Sequence, residues 1–255
     1  MPEPLTAQDI SLVASVGGFF ALRRAADAAG GERGDGSGGA RRAGAPLAAL
    51  YAGDATPLMF RVAKVGAAIG APEPRIAVSI AHLGLAARLW SVALGSAALH
   101  GRIPDLDPAL LHWDPDGTSP DDLTLAGSGA RHPEELAAVV LDHHLTPLAA
   151  AVRTEFRISE GLLWGNAGSA LAASAREIGR WARRTGQSAA AARARTLAAE
   201  LFTDPRLRGT GEYEGPDFRR RSCCLYYRVP GGGVCGDCCF RTPPPPRSSA
   251  PHRTG

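Results

Sequence analysis

The stretch RRSCCLYYRVPGGGVCGDCCF, from Arg220 to Phe240, contains all five cysteines of this 255-residue chain. They form an adjacent pair, a gap of ten residues, and a Cys-x-x-Cys unit followed at once by a fifth cysteine: Cys223, Cys224, Cys235, Cys238 and Cys239. A two-residue gap lets both sulfurs of such a unit reach one metal centre. Four thiolates can hold a tetrahedral zinc ion or an iron–sulfur cluster. The stretch therefore predicts a metal site, around which the rest of the chain is interpreted.

The cysteine spacing leaves two kinds of metal site open. An adjacent pair argues against ordinary structural zinc, which typically takes its ligands from two separated pairs, but the number of thiolates alone does not exclude zinc. Neighbouring thiolates could instead supply one iron of a two-iron cluster. A thioredoxin-like dithiol would need a βαβ setting, and none precedes Cys235. Cys239 adjoins Cys238 and is interpreted as a spare thiol rather than a ligand.

The residues around the cysteines suit an anionic site. Gly231–Gly233 can adopt backbone angles that other residues avoid, and amides turned toward sulfur tune the potential of a cluster. Arg221 and Arg228 are expected to bring positive charge near the thiolates, which would favour a reduced cluster.

Composition and charge exclude several classes of protein. The formal net charge is +3, which is too small to indicate a nucleic-acid-binding protein. The first residues lack the basic region of a secretion signal. The longest apolar run, Ile76–Leu99, could span a membrane by length, but His82 and Arg88 near its middle favour a buried helix. We therefore expect a cytoplasmic protein without an integral membrane segment, in a reducing compartment where clustered cysteines bind metal or carry out redox chemistry.

Apolar periodicity and capping residues predict a mainly helical body. The clearest helix runs from Ser159 to Gly186, and a flexible Gly-rich loop is expected at Gly30–Pro46. A β-hairpin is expected at Ala109–Gly127, around the turn residues Asp114–Gly117. The other predicted helices cover approximately residues 5–28, opened by a Thr6–Asp9 capping box, and 56–70, 76–100, 133–145, 147–155 and 188–203.

These elements predict an α+β fold that is mostly α-helical, with a small antiparallel β-hairpin and a C-terminal cysteine-rich metal loop. Four segments are expected. They are an N-terminal helix with a flexible Gly-rich loop at 1–45, a helical body with the hairpin at 46–218, the metal loop at 219–240, and a disordered proline-rich tail at 241–255.

The cysteine pattern resembles a known family. Cys223, Cys224, Cys235 and Cys238, with the flanking RRSCCLYYR and GGGVCGDCCF, are similar to the C-terminal [2Fe–2S] motif of the FhuF-type ferric-siderophore reductases. The family also shows similarity to RISEGLLWGNAGSAL (Arg157–Leu171) and, more weakly, to HHLTPL at residues 143–148. The resemblance extends from about residue 56 to residue 240. Cys239 and the proline-rich tail depart from the family's pattern.

The resemblance implies a cytoplasmic oxidoreductase that frees iron from imported siderophores by one-electron reduction. Siderophores hold ferric iron tightly through hard oxygen ligands and hold ferrous iron far more weakly. The four motif cysteines would bind the [2Fe–2S] cluster, a one-electron carrier, and no catalytic residue beyond these ligands is implied. The expected partners are a ferric siderophore as substrate and a ferredoxin-like or flavin-dependent electron donor.

Other polar residues have ordinary structural interpretations beside functional ones. His143 and His144 point apart on a helix, so one metal ion seldom takes both. Trp164 and Asn166 could line a siderophore pocket, but burial statistics favour core packing for Trp164 and a buried backbone partner for Asn166. A run of arginines could attract an anionic siderophore or an acidic ferredoxin, or could be a solvated face: Arg180, Arg183, Arg184 and Arg219–Arg221.

Two other functions remain open from the sequence. One is a non-catalytic protein that binds a siderophore or a partner and carries a structural zinc site. The other is an electron-transfer partner of a different enzyme, without a siderophore site.

Overall fold

The structure is a computed structural model that describes residues 2–25 and 44–244. Within those ranges, short 3₁₀ turns at Gly18–Phe20, Pro133–Glu135 and Tyr226–Arg228 and a π-helix at Ala138–Leu145 accompany seven α-helices. The α-helices are α1 (Ala7–Ala14), α2 (Leu47–Tyr51), α3 (Thr56–Ile69), α4 (Pro74–His100), α5 (Thr146–Glu155), α6 (Glu160–Thr185) and α7 (Ser188–Leu201). The mostly helical α+β class is confirmed.

The apolar run of the sequence becomes α4, the central helix of the core. Pro74 lies in its first turn, where the missing amide hydrogen costs nothing, and Gly101 ends it in the left-handed conformation. By length and composition α4 could cross a membrane, but 78% of its most apolar window is buried inside the protein. Arg88 is buried too and is neutralised by Asp122, at 2.7 Å between Nε and Oδ1. The expected buried helix is therefore confirmed.

The helix α4 is continuous through both of its interior glycines, Gly84 and Gly95. At Gly95 an added Cβ would lie 2.8 Å from Cδ1 of Phe20. That glycine therefore makes room for an aromatic side chain to pack closely against the helix, and the backbone does not bend there.

The second long helix, α6, packs along α4, and α7 packs on α6. Ser159 precedes α6 in extended conformation, and Gly186 ends it in the left-handed conformation, as the sequence predicted. Across the contact between α4 and α6, the hydroxyls of Ser91 and Ser174 are 3.0 Å apart. These two helices form the support on which the cysteine-rich segment lies.

Short strands surround the helices: β1 (Arg23–Arg24), β2 (Ala45–Pro46), β3 (Ile103–Pro104), β4 (Leu111–Trp113), β5 (Leu123–Leu125), β6 (Ala130–Arg131), β7 (Gly211–Glu214) and β8 (Asp217–Arg220). The expected hairpin is confirmed as antiparallel β4–β5, with Leu111 opposite Leu125. It belongs to a sheet in the order β1-β5-β4-β2, and β3 pairs with β6. The hairpin β7–β8, which leads directly into the cysteines, was not predicted.

Two predicted helices are wrong in extent or type. The first helix opens with the expected capping box, in which Thr6 N donates to Asp9 Oδ2 at 2.9 Å, but it ends at Ala14 rather than near residue 28. Gly17 and Gly18 follow and disfavour continuation of the helix. Residues 133–145 instead contain a 3₁₀ turn and a π-helix, and Pro147, just after the π-helix, lacks the amide that an α-helix would bond to the His143 carbonyl.

The remaining predicted helices agree with the structure to within a few residues, whereas the short helix α2 (Leu47–Tyr51) was not predicted. The division into four segments stays a prediction. The flexible Gly-rich loop at 30–46 and the proline-rich tail at 241–255 lie largely outside the described residues.

Candidate metal centre

The cysteine loop, residues 221–240, is attached to α6 at two points. At one end, Arg220 donates from Nη2 to Oδ1 of Asn166 at 2.6 Å. At the other, the hydroxyl of Ser169 donates to the carboxylate of Asp237, in the Cys-x-x-Cys turn. Asn166 and Ser169 are three positions apart and so share one face of the helix. The loop therefore lies against α6 along the stretch that resembled the siderophore reductases.

Glycines in the same stretch allow this close contact. A Cβ at Gly165 would lie 1.8 Å from Oγ of Ser222, and one at Gly168 would lie 2.3 Å from Oγ1 of Thr210. A side chain at either position would displace the hairpin and the residues before the first cysteine. The glycines of this stretch thus explain how the loop reaches the helix.

Two sulfurs of the loop lie close enough together to bind one metal ion as a pair. Sγ of Cys224 lies 3.7 Å from Sγ of Cys235, and a tetrahedral metal with bonds of about 2.3 Å places two sulfurs about 3.8 Å apart. Within residues 2–25 and 44–244, no three His, Cys, Asp or Glu side chains surround one point closely enough to hold a single ion. A [2Fe–2S] cluster needs four thiolates shared between two irons. The Cys224–Cys235 distance fits one such pair.

The thiols also affect one another's ionisation. Hydrogen bonds from Cys223 and Cys235 lower the pKa of Cys224, and the positive charge of Arg220 acts in the same direction. The same sulfur contacts raise the pKa of Cys223 and of Cys235. Burial raises the pKa of Cys239. Cys224, which contacts both Cys223 and Cys235, is therefore the thiol whose ionisation these contacts favour.

Backbone amides point at three of the sulfurs. Leu225 N donates to Sγ of Cys223 at 3.2 Å, and Phe240 N donates to Sγ of Cys238 at 3.4 Å. The backbone of Tyr226 hydrogen-bonds to Cys224, which also contributes to its low pKa. Such bonds stabilise anionic sulfur. Leu225 has a φ of 70°, unusual for a large side chain and costing about 1–3 kcal/mol.

In the glycine run Gly231–Gly233, fewer residues need to be glycine than the sequence suggested. Gly231 has a φ of 70°, and a Cβ at Gly232 would lie 2.5 Å from the carbonyl oxygen of Tyr226. A Cβ at Gly233 would contact nothing. Two of the three glycines are therefore needed for the turn.

The buried cation at this site is Arg220, which the sequence analysis did not single out. Its side chain is 1% exposed, and within the described ranges it has no carboxylate partner. Nε and Nη1 of Arg220 are buried without a hydrogen bond. A buried guanidinium costs several kcal/mol unless an anion lies near it. Thiolates supply such an anion, since the charge of Arg220 already acts on Cys224.

The arginines that were expected to act on the thiolates are neutralised by carboxylates. Arg221 is 61% exposed and lies 3.3 Å from Glu212. Arg228 pairs with Glu73 at 2.8 Å, next to the first turn of α4. The sequence signal for Arg220 was its place immediately before the cysteines, but three consecutive arginines cannot be told apart without the tertiary structure.

The other candidate residues have mainly structural positions. His144 is buried between the hydroxyl of Tyr51, 3.0 Å from Nδ1, and the carbonyl of Leu106, 2.6 Å from Nε2. His143 is exposed. Asn166 is fully buried and bridges Arg220 to the Ser79 carbonyl. Trp164 is half-buried and packs against the edge of the apolar core.

The arginine run does not form one continuous free surface. Arg180 pairs with Glu177, and Arg219 pairs with Glu214 at 3.1 Å. Arg220 is buried, as described above. Arg183 and Arg184 remain solvent-exposed.

Comparison with known families identifies the body of the chain. Residues 56–215 match the family described as "Ferric iron reductase FhuF-like transporter". The chain belongs to the FhuF-like ferric iron reductase family. Residues 220–240 match the family described as "FhuF 2Fe-2S C-terminal domain". No curated protein matches the chain.

Membership in the FhuF-like family confirms the resemblance and the cofactor, a [2Fe–2S] cluster. The domain match covers the cysteine loop, together with Arg220. It favours iron over the zinc site that the thiolate number had left open. The body match includes α6 with Asn166, Gly165 and Gly168, the residues on which the loop lies.

Proposed function

We propose that this FhuF-like protein reduces the iron of ferric siderophores in the cytoplasm, one electron at a time, and so releases Fe(II). The observation that carries the proposal is the convergence of sulfurs in one loop at the edge of the helical body. Three of the five cysteines are only half-buried, namely Cys223, Cys235 and Cys239. A redox centre held there lies near enough to the surface to exchange an electron with a bound complex.

The proposed cluster ligands are Cys223, Cys224, Cys235 and Cys238. When bound, the [2Fe–2S] cluster supplies a one-electron redox centre, which matches the reduction of Fe(III) to Fe(II). The chain's own residues hold this centre: amides bond to Cys223, Cys224 and Cys238, and Arg220 supplies positive charge. No acid or base is needed for the reduction itself. The electron donor is proposed to be a ferredoxin-like or flavin-dependent protein.

The decisive experiment uses protein purified without oxygen. Visible and electron-paramagnetic spectra before and after dithionite should show a chromophore that bleaches and a spin-one-half signal. Removal of excess dithionite, followed by one equivalent of a ferric siderophore, should restore the colour and form Fe(II), measured with a ferrous-specific chelator.

Each other outcome supports a different function. A red protein that is reduced by dithionite but is not reoxidised by any ferric siderophore would be an electron-transfer partner of another enzyme. A colourless protein that contains zinc, although iron was supplied during expression, would contradict the reductase and support the binding protein.

A further inference from the structure

A cleft of about 750 Å³ lies beside the cysteine loop. We call it the Trp164 cleft. Its walls are the first turn of α6, the segment after α7 and the start of the cysteine loop: Ser159–Leu162, Trp164, Pro205, Arg206, Arg208–Thr210, Arg221–Cys223 and Leu225. Of the five cysteines, all in the described part of the chain, Cys223 alone lines it. Its volume is within the range of small-molecule sites.

The polar lining of the cleft is mostly cationic. Three arginines and one carboxylate, that of Glu160, line it. Arg206 is held in place by Asp142 and Asp204 and lies over the Trp164 ring, at 5.8 Å from the ring centroid. Carboxylates therefore offset the charge of Arg206, and Glu212 offsets that of Arg221.

Arg208 differs from the other two arginines. Its side chain is exposed and makes no hydrogen bond or ion pair with any residue in the described ranges. No carboxylate that the structure describes offsets the charge of Arg208, so this charge is available to a ligand in the cleft. Glu160 and Gly161, in the first turn of α6, also line this wall, and helix N-termini favour anions.

Trp164 gives the cleft a flat aromatic wall. It is the one tryptophan of the four that is not buried, since Trp90, Trp113 and Trp181 are at most 4% exposed. Its indole nitrogen donates to Oε1 of Glu160 at 3.3 Å, which fixes the ring. An aromatic face beside cations suits a ligand with flat, electron-rich, negatively charged arms.

We propose that the Trp164 cleft binds the substrate as the ferric complex of a negatively charged oxygen chelator, placed beside Cys223, one of the proposed cluster ligands. This inference rests on the proposed reductase function and adds to it the place of binding and the charge of the substrate. Arg208 attracts the complex, Trp164 packs on its arms, and Arg206 keeps Trp164 in position.

The test uses the gallium(III) complex of a tricatecholate chelator as a probe. Gallium has the charge and size of ferric iron but accepts no electron, so binding is separated from reduction. Calorimetry on the cluster-loaded protein should detect binding that weakens as salt is raised. Arg208→Glu should weaken it roughly tenfold or more, because one favourable charge contact becomes unfavourable. The visible spectrum and cluster potential of this variant should stay unchanged.

The matched control is Arg195→Glu. Arg195 lies on α7 outside the cleft, is exposed, and makes no ion pair within the described residues. This control should bind the gallium complex within about twofold of the unmodified protein, since the same change in net charge is then far from the ligand. Trp164→Ala should weaken binding, whereas Trp164→Phe, which keeps an aromatic face, should weaken it less.

The outcomes separate the two proposals. If ferric complexes are reduced but Arg208→Glu and Arg195→Glu bind the probe equally, the cleft assignment is wrong and the reductase stands. The assignment of a negatively charged substrate is wrong if a neutral trihydroxamate gallium complex binds more tightly than the tricatecholate complex and its affinity is unchanged by Arg208→Glu. If the unmodified protein neither binds the gallium complexes nor reduces their ferric counterparts, the proposed function itself fails.

Discussion

Arg220 is a buried cation whose charge acts on two thiols of the cysteine loop, Cys224 and Cys239. It is enclosed, bonded to Asn166, and left with two nitrogens that have no partner within the described residues. Its neighbour Arg221 has the same charge but is exposed and paired with Glu212. A charge in a low-dielectric interior acts more strongly than one in water. Comparing Arg220 with Arg221 therefore tests how burial changes the effect of an arginine charge on the cluster.

We expect Arg220→Gln to shift the midpoint potential of the cluster to more negative values, on the order of tens of millivolts, because a nearby cation favours the added electron. Arg221→Gln should leave the potential almost unchanged. Redox titration followed by the visible or electron-paramagnetic signal measures both. If Arg220→Gln does not load iron, Arg220→Lys serves as the second variant, because it keeps the positive charge at this position. Equal shifts in the two glutamine variants would show that burial does not matter here.

Cys238 and Cys239 form a second comparison between adjacent residues. Cys238 is buried and accepts a hydrogen bond from Phe240 N, whereas Cys239 is half-buried. We expect Cys239→Ser to keep iron and the visible spectrum, and Cys238→Ser to lose most of both, because only the second removes a proposed ligand. Iron and sulfide analysis of anaerobically purified variants checks this. Iron loss in Cys239→Ser alone would reassign the fourth ligand.

At the scale of elements, the contact between α6 and the cysteine loop depends on small residues. Gly165 leaves room for Ser222, and Asn166 and Ser169 bond to the two ends of the loop. The need for a residue without a side chain at this position cannot be predicted from apolar periodicity, which registers a glycine only as a residue of low helix propensity.

Gly165→Ala should loosen the loop and lower iron retention, although alanine favours the helix by about 1 kcal/mol. Gly179→Ala is the matched control on the same helix, because a Cβ there would meet its nearest atom at 3.8 Å, an ordinary contact. It should raise the thermal stability slightly and leave the cluster intact. Ser222→Ala combined with Gly165→Ala should restore part of the loss, since it removes the atom at 1.8 Å. Unchanged iron retention in Gly165→Ala would show that the loop moves freely.

At the scale of the whole molecule, two buried histidines couple stability to pH. Burial lowers the pKa of both His82 and His144 to about 4. Arg220 adds to the effect on His82. Around His144, the Leu106 carbonyl and Asp107 oppose it and His143 adds to it. In the unfolded chain a histidine has a pKa of about 6.5. Between about pH 4 and 6.5 the unfolded state therefore binds more protons.

The free energy of unfolding should then fall as pH is lowered from 7 to 5, by about 2 kcal/mol for each of these histidines. Denaturant unfolding followed by circular dichroism at the two pH values measures the fall. His144→Gln should reduce it by about half, while His143→Gln, at an exposed position, should follow the unmodified protein. The same fall in all three proteins would place the pH dependence elsewhere.

The sequence predicted what depends on local pattern, and it missed what depends on distant contacts. Cysteine spacing, the Ser159–Gly186 helix and the turn at Asp114–Gly117 all led to correct elements. The hairpin β7–β8 was missed because its strands are short and rich in charge and β7 is mostly exposed, so apolar alternation is weak. Arg220 was missed because burial on α6 distinguishes it from Arg219 and Arg221, and that contact joins residues 54 positions apart.

The order of the chain has a consequence for biosynthesis. Protein synthesis delivers α4 and α6 before the cysteine loop. Asn166 and Ser169 on α6 bond to Arg220 and Asp237, and the Ser79 carbonyl on α4 accepts a hydrogen bond from Asn166. A nascent body can therefore fold before any ligand for iron leaves the ribosome. The five thiols then emerge beside a helical support that is already in place, so the loop can dock on α6 as soon as it is synthesised.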